Sequence, residues 1–135
     1  MDDIFVFNPN IYPRMLWVSV CVSEKELKRN FVNAHPMGYG SKGEVQKVIS
    51  RIGQKIGYLV QFRCTEEMDI EVITHEANHV ASNIFDDIGA RRDKGENKEP
   101  FAYLCGWVSK CIEEAKQAYI ELDKVRNGKS EDLRV

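Results

Sequence analysis

The chain of 135 residues is predicted to fold as a single α+β domain, in which a small sheet precedes two long helices. Three observations favour this class. The first half of the sequence contains strand-like apolar segments at residues 15–22, 44–50 and 58–63. From residue 70 to about residue 125, apolar residues recur at helical spacing. No repeat, linker or low-complexity segment interrupts this order, so the prediction is one domain over residues 1–135.

Composition is that of an ordinary globular protein. Hydrophobic residues make up 43% and charged residues 30% of the sequence, and 135 residues are enough to bury a core without stabilising cross-links. The net charge of -2 and the pI of about 5.9 supply no electrostatic reason to expect nucleic acid as a partner.

Location and redox state are predicted from the N-terminus and the cysteines. Residues 1–12 carry two acids and no cationic segment, and no apolar run is long enough for a signal peptide or a membrane span. The four cysteines form no C-x-x-C pair and are expected to be buried, reduced thiols; they are Cys21, Cys64, Cys105 and Cys111. We therefore expect a cytoplasmic protein, in the encoding cell or in an infected host cell, without a membrane partner.

The N-terminal half is predicted to supply the sheet. Residues 4–7 are expected to pair as a short edge strand, and the nearly continuous apolar run at 15–22 predicts a strand covered on both faces. Ser23 followed by Glu26 forms a capping box, which indicates a short helix over residues 24–32.

A hairpin is predicted from residue 44 to residue 63. Its loop, residues 51–57, contains Gly53 and Gly57, which are expected to supply unusual backbone dihedrals. The predicted result is a sheet of three to four strands with the helices on one side.

The first long helix is expected to begin after Thr65, which can cap it, because acids crowd the turns that follow. It is predicted to end at Gly89, a natural C-terminal cap. Its core-facing stripe is Ile70, Ile73, Ala77, Val80, Ala81, Ile84, Phe85 and Ile88.

The second long helix is expected to begin near Lys98 or Glu99, with Asn97 as its cap and Pro100 in its first turn. It is predicted to continue to about residue 125, followed by a frayed polar tail. Its packed stripe is Phe101, Leu104, Trp107, Val108, Cys111, Ile112, Ala115, Ala118, Tyr119 and Leu122.

The first long helix carries the motif H-E-x-x-H as His75, Glu76 and His79. Histidines four residues apart lie one turn above each other on the same face of a helix, so both imidazoles can reach one metal ion. Glu76 is then placed to hold a metal-bound water. His35, in a turn rich in Pro and Gly, is interpreted as a solvated residue, and a role as ligand or oxyanion stabiliser is the alternative.

A catalytic zinc usually has three protein ligands and one open position, so a third ligand is needed. The acids after the motif are Asp86, Asp87, Asp93, Glu96, Glu99 and those from Glu113 onwards. Asp86 lies about 10 Å along the helix axis from His79 and cannot share its ion. Glu99, twenty residues after His79, is favoured because the second helix can fold back antiparallel and present its first turn to the imidazoles.

The pattern H-E-x-x-H followed about twenty residues later by a helical Glu resembles the gluzincin metallopeptidases, of which thermolysin is the best known. The short chain and the stretch E-P-F-A-Y-L-C-G-W resemble small zincin-like metallopeptidases encoded by bacteriophages and mobile elements. The resemblance covers residues 70–107. It implies a minimal zincin-like fold, Zn²⁺ on His75, His79 and Glu99, and Glu76 as the general base.

The chain departs from the larger gluzincins at two points. They carry an acid four residues after the ligand Glu, which orients a metal-bound His, where this chain has Tyr103. They also take an oxyanion-stabilising residue from a separate C-terminal domain. Tyr103 is kept as a candidate for that catalytic role, with Tyr39, Tyr58 and Arg91 as alternatives, and core packing is the competing interpretation for Tyr103 and Trp107.

The function predicted from these residues is zinc-dependent hydrolysis of a peptide or protein substrate, which lies extended along the hairpin of residues 44–63. Two alternatives stay open. The domain could be a non-catalytic zincin-like protein that binds a host partner, or a metallohydrolase of a non-peptide substrate. The sequence makes no prediction of oligomeric state.

Overall fold

The computed structural model describes residues 3–91 and 98–133, and within them the secondary structure follows the predicted α+β order. The elements are β1 (Ile4–Phe7), β2 (Met15–Val20), α1 (Glu24–Asn30), β3 (Gly43–Ile49), β4 (Ile56–Phe62), a 3-10 turn (Thr65–Glu67), α2 (Ile70–Ile88) and α3 (Lys98–Leu133). No helix in the described part of the chain combines the length and the apolar character needed to cross a membrane.

The four strands form one mixed sheet in the order β1-β2-β4-β3. β1 pairs antiparallel with β2, so the predicted short edge strand is confirmed. β2 and β4 run parallel at the centre, and β3 pairs antiparallel with β4. β1 and β3 are therefore the two edges, and β3 is the edge that contacts α2.

Helices cover both faces of this sheet, and the prediction that they lie on one side is wrong. Successive side chains of a strand point to opposite faces. Leu16 and Val60 pack on the face covered by α2 and α3, whereas Trp17 and Leu59 pack against Leu27 of α1 on the other face. The apolar run in β2 supplies side chains to both faces, and α1 covers the second.

The hairpin between β3 and β4 is confirmed, but its two glycines serve different purposes. Gly53 adopts a φ of 78° in the loop, as predicted. Gly57 lies inside β4 without a positive φ, and a Cβ there would come within 2.1 Å of the carbonyl oxygen of Met15. Close approach of β2 to β4 therefore requires Gly57, and the prediction of a turn conformation is wrong.

The helix α2 is capped by Asp69, whose carboxylate accepts a hydrogen bond from the N–H of Val72 at 2.9 Å. Thr65 begins the preceding 3-10 turn and does not cap α2, because the backbone leaves the helical region at the buried residue Met68. The predicted C-terminal cap is confirmed at Gly89, which adopts a left-handed conformation with φ of 73°.

Most of the predicted stripe of α2 is buried, whereas the two isoleucines in its end turns are exposed. Ile70 is 83% exposed and Ile88 is 39% exposed. The buried members are Ile73, Ala77, Val80, Ala81, Ile84 and Phe85. The helix is therefore amphipathic, with the exposed histidines on the side away from this stripe.

The helix α3 packs antiparallel to α2. The ring of Phe101, near the start of α3, lies 5.2 Å from the ring of Phe85, near the end of α2. Farther along α3, the ammonium group of Lys116 donates to the carbonyl oxygen of Met68, just before α2 begins, at 2.9 Å. The most deeply buried residues of the predicted stripe are Leu104, Val108, Cys111, Ile112 and Ala115.

The ends of α3 differ in part from the prediction. The helix begins at Lys98 with Pro100 in its first turn, as expected, while the predicted cap Asn97 lies outside the described residues. It continues to Leu133, so the frayed tail predicted from residue 126 is wrong over residues 126–133. An ion pair of 3.0 Å between Arg126 and Asp3 connects this extension to the start of β1.

The four cysteines are free, as predicted. Cys111 is buried, and burial raises the pKa of its thiol to about 12. Cys21 is exposed, and Cys64 and Cys105 are partly buried, so the expectation of burial holds in full for Cys111 alone among them.

A charged cluster around Asp87 fastens the end of α2 to the sheet. The carboxylate accepts a short hydrogen bond from the hydroxyl of Tyr58 in β4, and bonds of about 3.0 Å from Arg14 and Lys47. Burial opposes ionisation of Asp87, but the hydrogen bonds from these three donors outweigh it and lower the pKa of the carboxyl. The pKa of Tyr58 is raised well above its ordinary value. Burial of the hydroxyl is the larger cause, and its hydrogen bond to Asp87 is the second.

Asp87→Asn is expected to lower the free energy of unfolding at neutral pH by about 2 kcal/mol, because charge-assisted bonds from two cations are lost. A carboxyl with a lowered pKa stabilises the fold when it is ionised, and this contribution disappears as the pH falls through that pKa. Urea titrations of both proteins between neutral and acidic pH are therefore expected to converge below about pH 4. A difference that stays constant down to the most acidic pH would contradict this role.

Candidate metal centre

Two imidazoles converge on the exposed face of α2. His75 and His79 are separated by one helical turn, and their Nε2 atoms lie 3.1 Å apart. The rings are nearly perpendicular, at 81°, with their centroids 4.6 Å apart. The two ring nitrogens therefore lie within hydrogen-bonding distance of each other on one exposed face of the helix.

This spacing fits a transition metal. A tetrahedral zinc with bonds of about 2.0–2.1 Å to two imidazoles requires the nitrogens to be about 3.3 Å apart. The observed distance is 3.1 Å, so only a small ring movement separates the side chains from that geometry. A carboxylate oxygen of Glu76 also lies within 4.8 Å of a ring nitrogen of each histidine. His75, Glu76 and His79 therefore form a group that can hold a metal ion, and we call these three residues the metal-binding group.

Glu76 faces inward from the same turn of α2, between the helix and the edge strand β3. Its side chain is only 6% exposed, and burial raises the pKa of its carboxyl. Positive charge on His75 and His79 would act in the opposite direction, and the charge of Glu44 adds to the increase. A carboxyl whose pKa is raised toward neutrality is suited to accepting and returning a proton.

A small cavity of about 280 Å³ opens beside the group. Its walls come from the start of β3, from the preceding loop and from the first turns of α2: Ser41, Lys42, Gly43, Glu71, Val72, His75 and Glu76. Because His75 and Glu76 form part of the wall, a molecule bound in this cavity contacts two members of the metal-binding group.

The edge strand β3 is open only along its first part. The N–H of Ile49 donates to the side chain of Asn33, and its carbonyl accepts from the N–H of Val32, both at 2.9 Å. Backbone groups alternate in direction along a strand, so those of Gly43 and Val45 also face outward. Among the described residues no hydrogen bond reaches the outward backbone groups of these two positions, and Gly43 lies against Glu76.

Glu99 is not brought to the imidazoles. It lies exposed at the second position of α3. Phe101 packs on Phe85, which is six residues beyond His79, or about 9 Å along the helix axis. Because α3 is antiparallel to α2, Glu99 lies still farther away, and it is not part of the metal-binding group in the described residues. Its role as a ligand stays a prediction that the geometry does not support.

The reason is the register in which α3 packs on α2. The prediction had α2 ending at Gly89 with a loop after it, and it expected the first turn of α3 to fold back as far as the imidazoles. In the structure α2 continues for nine residues beyond His79, so the return of the chain begins too far from the motif. Asp93 and Glu96, two other acids considered for this position, lie outside the described residues.

The candidates for an oxyanion-stabilising role lie outside the metal-binding group. Tyr103 is 74% exposed beside Pro9 and Ile11, so it is not packed in the core, and its catalytic role stays a prediction. Tyr39 is fully exposed, and the hydroxyl of Tyr58 is engaged by Asp87. Arg91, the remaining candidate, is exposed just after α2 ends.

His35 is held mainly by its backbone, and its ring Nδ1 lies 3.2 Å from the carbonyl oxygen of Pro36. Its N–H and carbonyl bond the buried amide side chain of Gln46 at 3.1 and 2.8 Å, and its carbonyl also accepts from Gln61 at 2.9 Å. The ring is mostly exposed and lies 3.8 Å from the carboxylate of Glu44. These contacts agree with the interpretation of His35 as a loop residue, and it lies outside the metal-binding group.

One residue of the site escaped the sequence analysis. Gly43 begins β3 and touches the carboxyl group of Glu76. A glycine immediately before the predicted strand 44–50 was the available signal, since glycine in a strand often marks a close approach of another group. Its contact partner, thirty-three residues later, could not be inferred from local sequence.

The chain was also compared with models of protein families, with curated proteins and with solved structures. None of the three comparisons gave a match, so the assignment of function rests on the geometry of the site.

Proposed function

We propose that the protein is a zinc-dependent peptide hydrolase, a small zincin-like enzyme in which His75 and His79 hold the metal and Glu76 is the general base. One observation carries the proposal. Two imidazole nitrogens 3.1 Å apart converge in front of α2, with the buried carboxyl of Glu76 beside them. This combination of two neutral ligands and an adjacent proton acceptor is what metal-assisted hydrolysis requires.

When bound, the metal would lower the pKa of a water molecule and polarise the carbonyl group to be cleaved. Glu76 would accept the proton of the attacking water and deliver it to the leaving amine. In the metal-free chain, burial raises the pKa of this carboxyl, so the group binds a proton more readily than an exposed glutamate does.

A peptide in extended conformation is the proposed substrate class. The outward backbone groups of Gly43 and Val45 are available to pair with an added strand, and this open part of β3 lies directly beside Glu76. Val32 and Asn33 close the edge at Ile49. The carbonyl of Lys47 also accepts from the side chain of Asn33, so the proposed binding surface is narrower than the hairpin 44–63 and reaches from Gly43 to Val45.

The second candidate is a non-catalytic binding protein with a structural metal. It is favoured by one specific observation: Glu99 is absent from the group, and the carboxylate of Glu76 is close enough to be the third ligand itself. In that case Glu76 would be engaged by the metal and unable to act as a base. A metallohydrolase of a non-peptide substrate is a further alternative, in which the cavity beside His75 receives the substrate.

The proposal is tested by stripping the purified chain of metal with a chelator and restoring it with zinc. The expected result is one zinc per chain and cleavage of an unfolded protein substrate only in the zinc-loaded form. Stoichiometric zinc without cleavage of any peptide would favour the binding protein or the non-peptide hydrolase. Failure to bind zinc would remove the basis of the proposal.

We further propose a cytoplasmic location, in the encoding cell or in an infected host cell.

A further inference from the structure

We propose that Gly43 is a positioning residue for Glu76: the missing side chain at Gly43 leaves the space that the carboxyl group of Glu76 occupies. The catalytic consequence of this contact rests on the proposed function, in which Glu76 is the general base. The steric relation between the two residues is independent of any metal or substrate.

The contact is close. A Cβ atom built on Gly43 would lie 2.8 Å from Cγ, 2.9 Å from Oε2 and 3.1 Å from Cδ of Glu76. Cβ atoms in proteins essentially never approach other heavy atoms to less than 3.0 Å. Every residue other than glycine would therefore displace Glu76 or separate β3 from α2.

Backbone conformation does not explain this glycine. Gly43 has no positive φ, unlike Gly40, Gly53 and Gly89, so alanine could adopt the same backbone dihedrals. It pairs with Phe62 of β4 in ordinary antiparallel register. The contact with Glu76 is the remaining reason for glycine at this position.

The collision cannot be relieved at the far end of the side chain. Cγ is the second carbon of the Glu76 side chain, and its position follows directly from the backbone of α2 and from χ1. The side chain is 6% exposed, so little free space surrounds it. A methyl group at position 43 would force Glu76 into another rotamer, which turns the carboxylate away from its present position beside His75 and His79.

A double-mutant cycle on the metal-free chain tests the proposal by thermal unfolding. Gly43→Ala is expected to lower Tm by about 5 °C, because the added methyl overpacks the contact. In the Glu76→Ala background the same change is expected to move Tm by less than about 2 °C or to raise it, since alanine loses less backbone entropy on folding than glycine. Gly57→Ala is the control: its Cβ meets the backbone of Met15, so its cost is expected to be the same in both backgrounds.

Equal effects of Gly43→Ala in the two backgrounds would overturn the proposal. If Gly43→Ala prevents folding, recovery of the circular dichroism spectrum in the Gly43→Ala, Glu76→Ala double variant supports it, and no recovery overturns it. In the zinc-loaded protein, Gly43→Ala is expected to retain zinc and lose hydrolysis. If the effects of Gly43→Ala and Glu76→Ala on Tm are coupled but the zinc-loaded parent chain hydrolyses no peptide, the proposed function is refuted and the steric assignment of Gly43 stays in place.

Discussion

Glu76→Gln is expected to lower the rate of peptide hydrolysis about 100- to 10,000-fold and to leave one zinc bound per chain. The amide has nearly the same shape as the carboxylate but cannot accept the proton of the attacking water. Because the side chain is buried against Gly43, an isosteric change should not disturb the packing around it. The rate is measured with a peptide substrate, and zinc content by elemental analysis of the same preparation.

The two readouts separate the proposed roles of Glu76. A Glu76→Gln variant that retains zinc but no longer hydrolyses peptide would identify Glu76 as the general base. Loss of zinc in Glu76→Gln would identify the carboxylate as the third ligand and favour the structural metal of the binding-protein alternative. Hydrolysis at the parent rate with zinc bound would show that another group takes the proton, and the assignment of Glu76 would be wrong.

His75→Ala and His79→Ala are each expected to reduce zinc affinity by at least about 100-fold, because one of two converging nitrogens is lost and the other cannot hold the ion alone. Isothermal titration calorimetry with zinc measures the change. Both side chains are exposed on α2, so the free energy of unfolding of the metal-free chain should change little. The loss of affinity is then a local effect at the site.

Two matched controls sharpen this experiment. His35→Ala removes the chain's third histidine, which lies outside the group, and is expected to leave zinc affinity unchanged. Glu99→Gln is expected to do the same, because Glu99 lies level with the far end of α2. A drop in affinity for Glu99→Gln alone would support the ligand set implied by the resemblance to gluzincins and would mean that the metal-bound chain has a different arrangement of α2 and α3.

Local patterns predicted most of the elements. The capping box at Ser23 and the left-handed cap at Gly89 were both readable because a helix end is decided by residues within one turn of it. The two histidines were predicted for the same reason, since four residues along a helix determine their relative position. The capping error at Thr65 arose because the buried residue Met68 bends the chain before α2 begins.

Contacts between residues far apart in sequence could not be predicted. Three examples are the packing of α1 on the second face of the sheet, the close approach of β2 that requires Gly57, and the cluster that Asp87 forms with β3 and β4. A stripe of apolar residues shows that a helix packs, but it does not show against which neighbour. The register in which α3 packs on α2 likewise could not be predicted from spacing, and it places Phe101 beside Phe85 and leaves Glu99 far from the imidazoles.

By itself, the sequence determined that two imidazoles and a carboxyl lie within about one turn of one helix, because the geometry of an α-helix is the same in every protein. The tertiary structure alone decided what surrounds them: which carboxyl is buried, that Gly43 of β3 leaves space for it, and that the first turn of α3 is too distant to supply a ligand. These properties depend on how separate elements pack, and packing is set by side chains from the whole chain acting together.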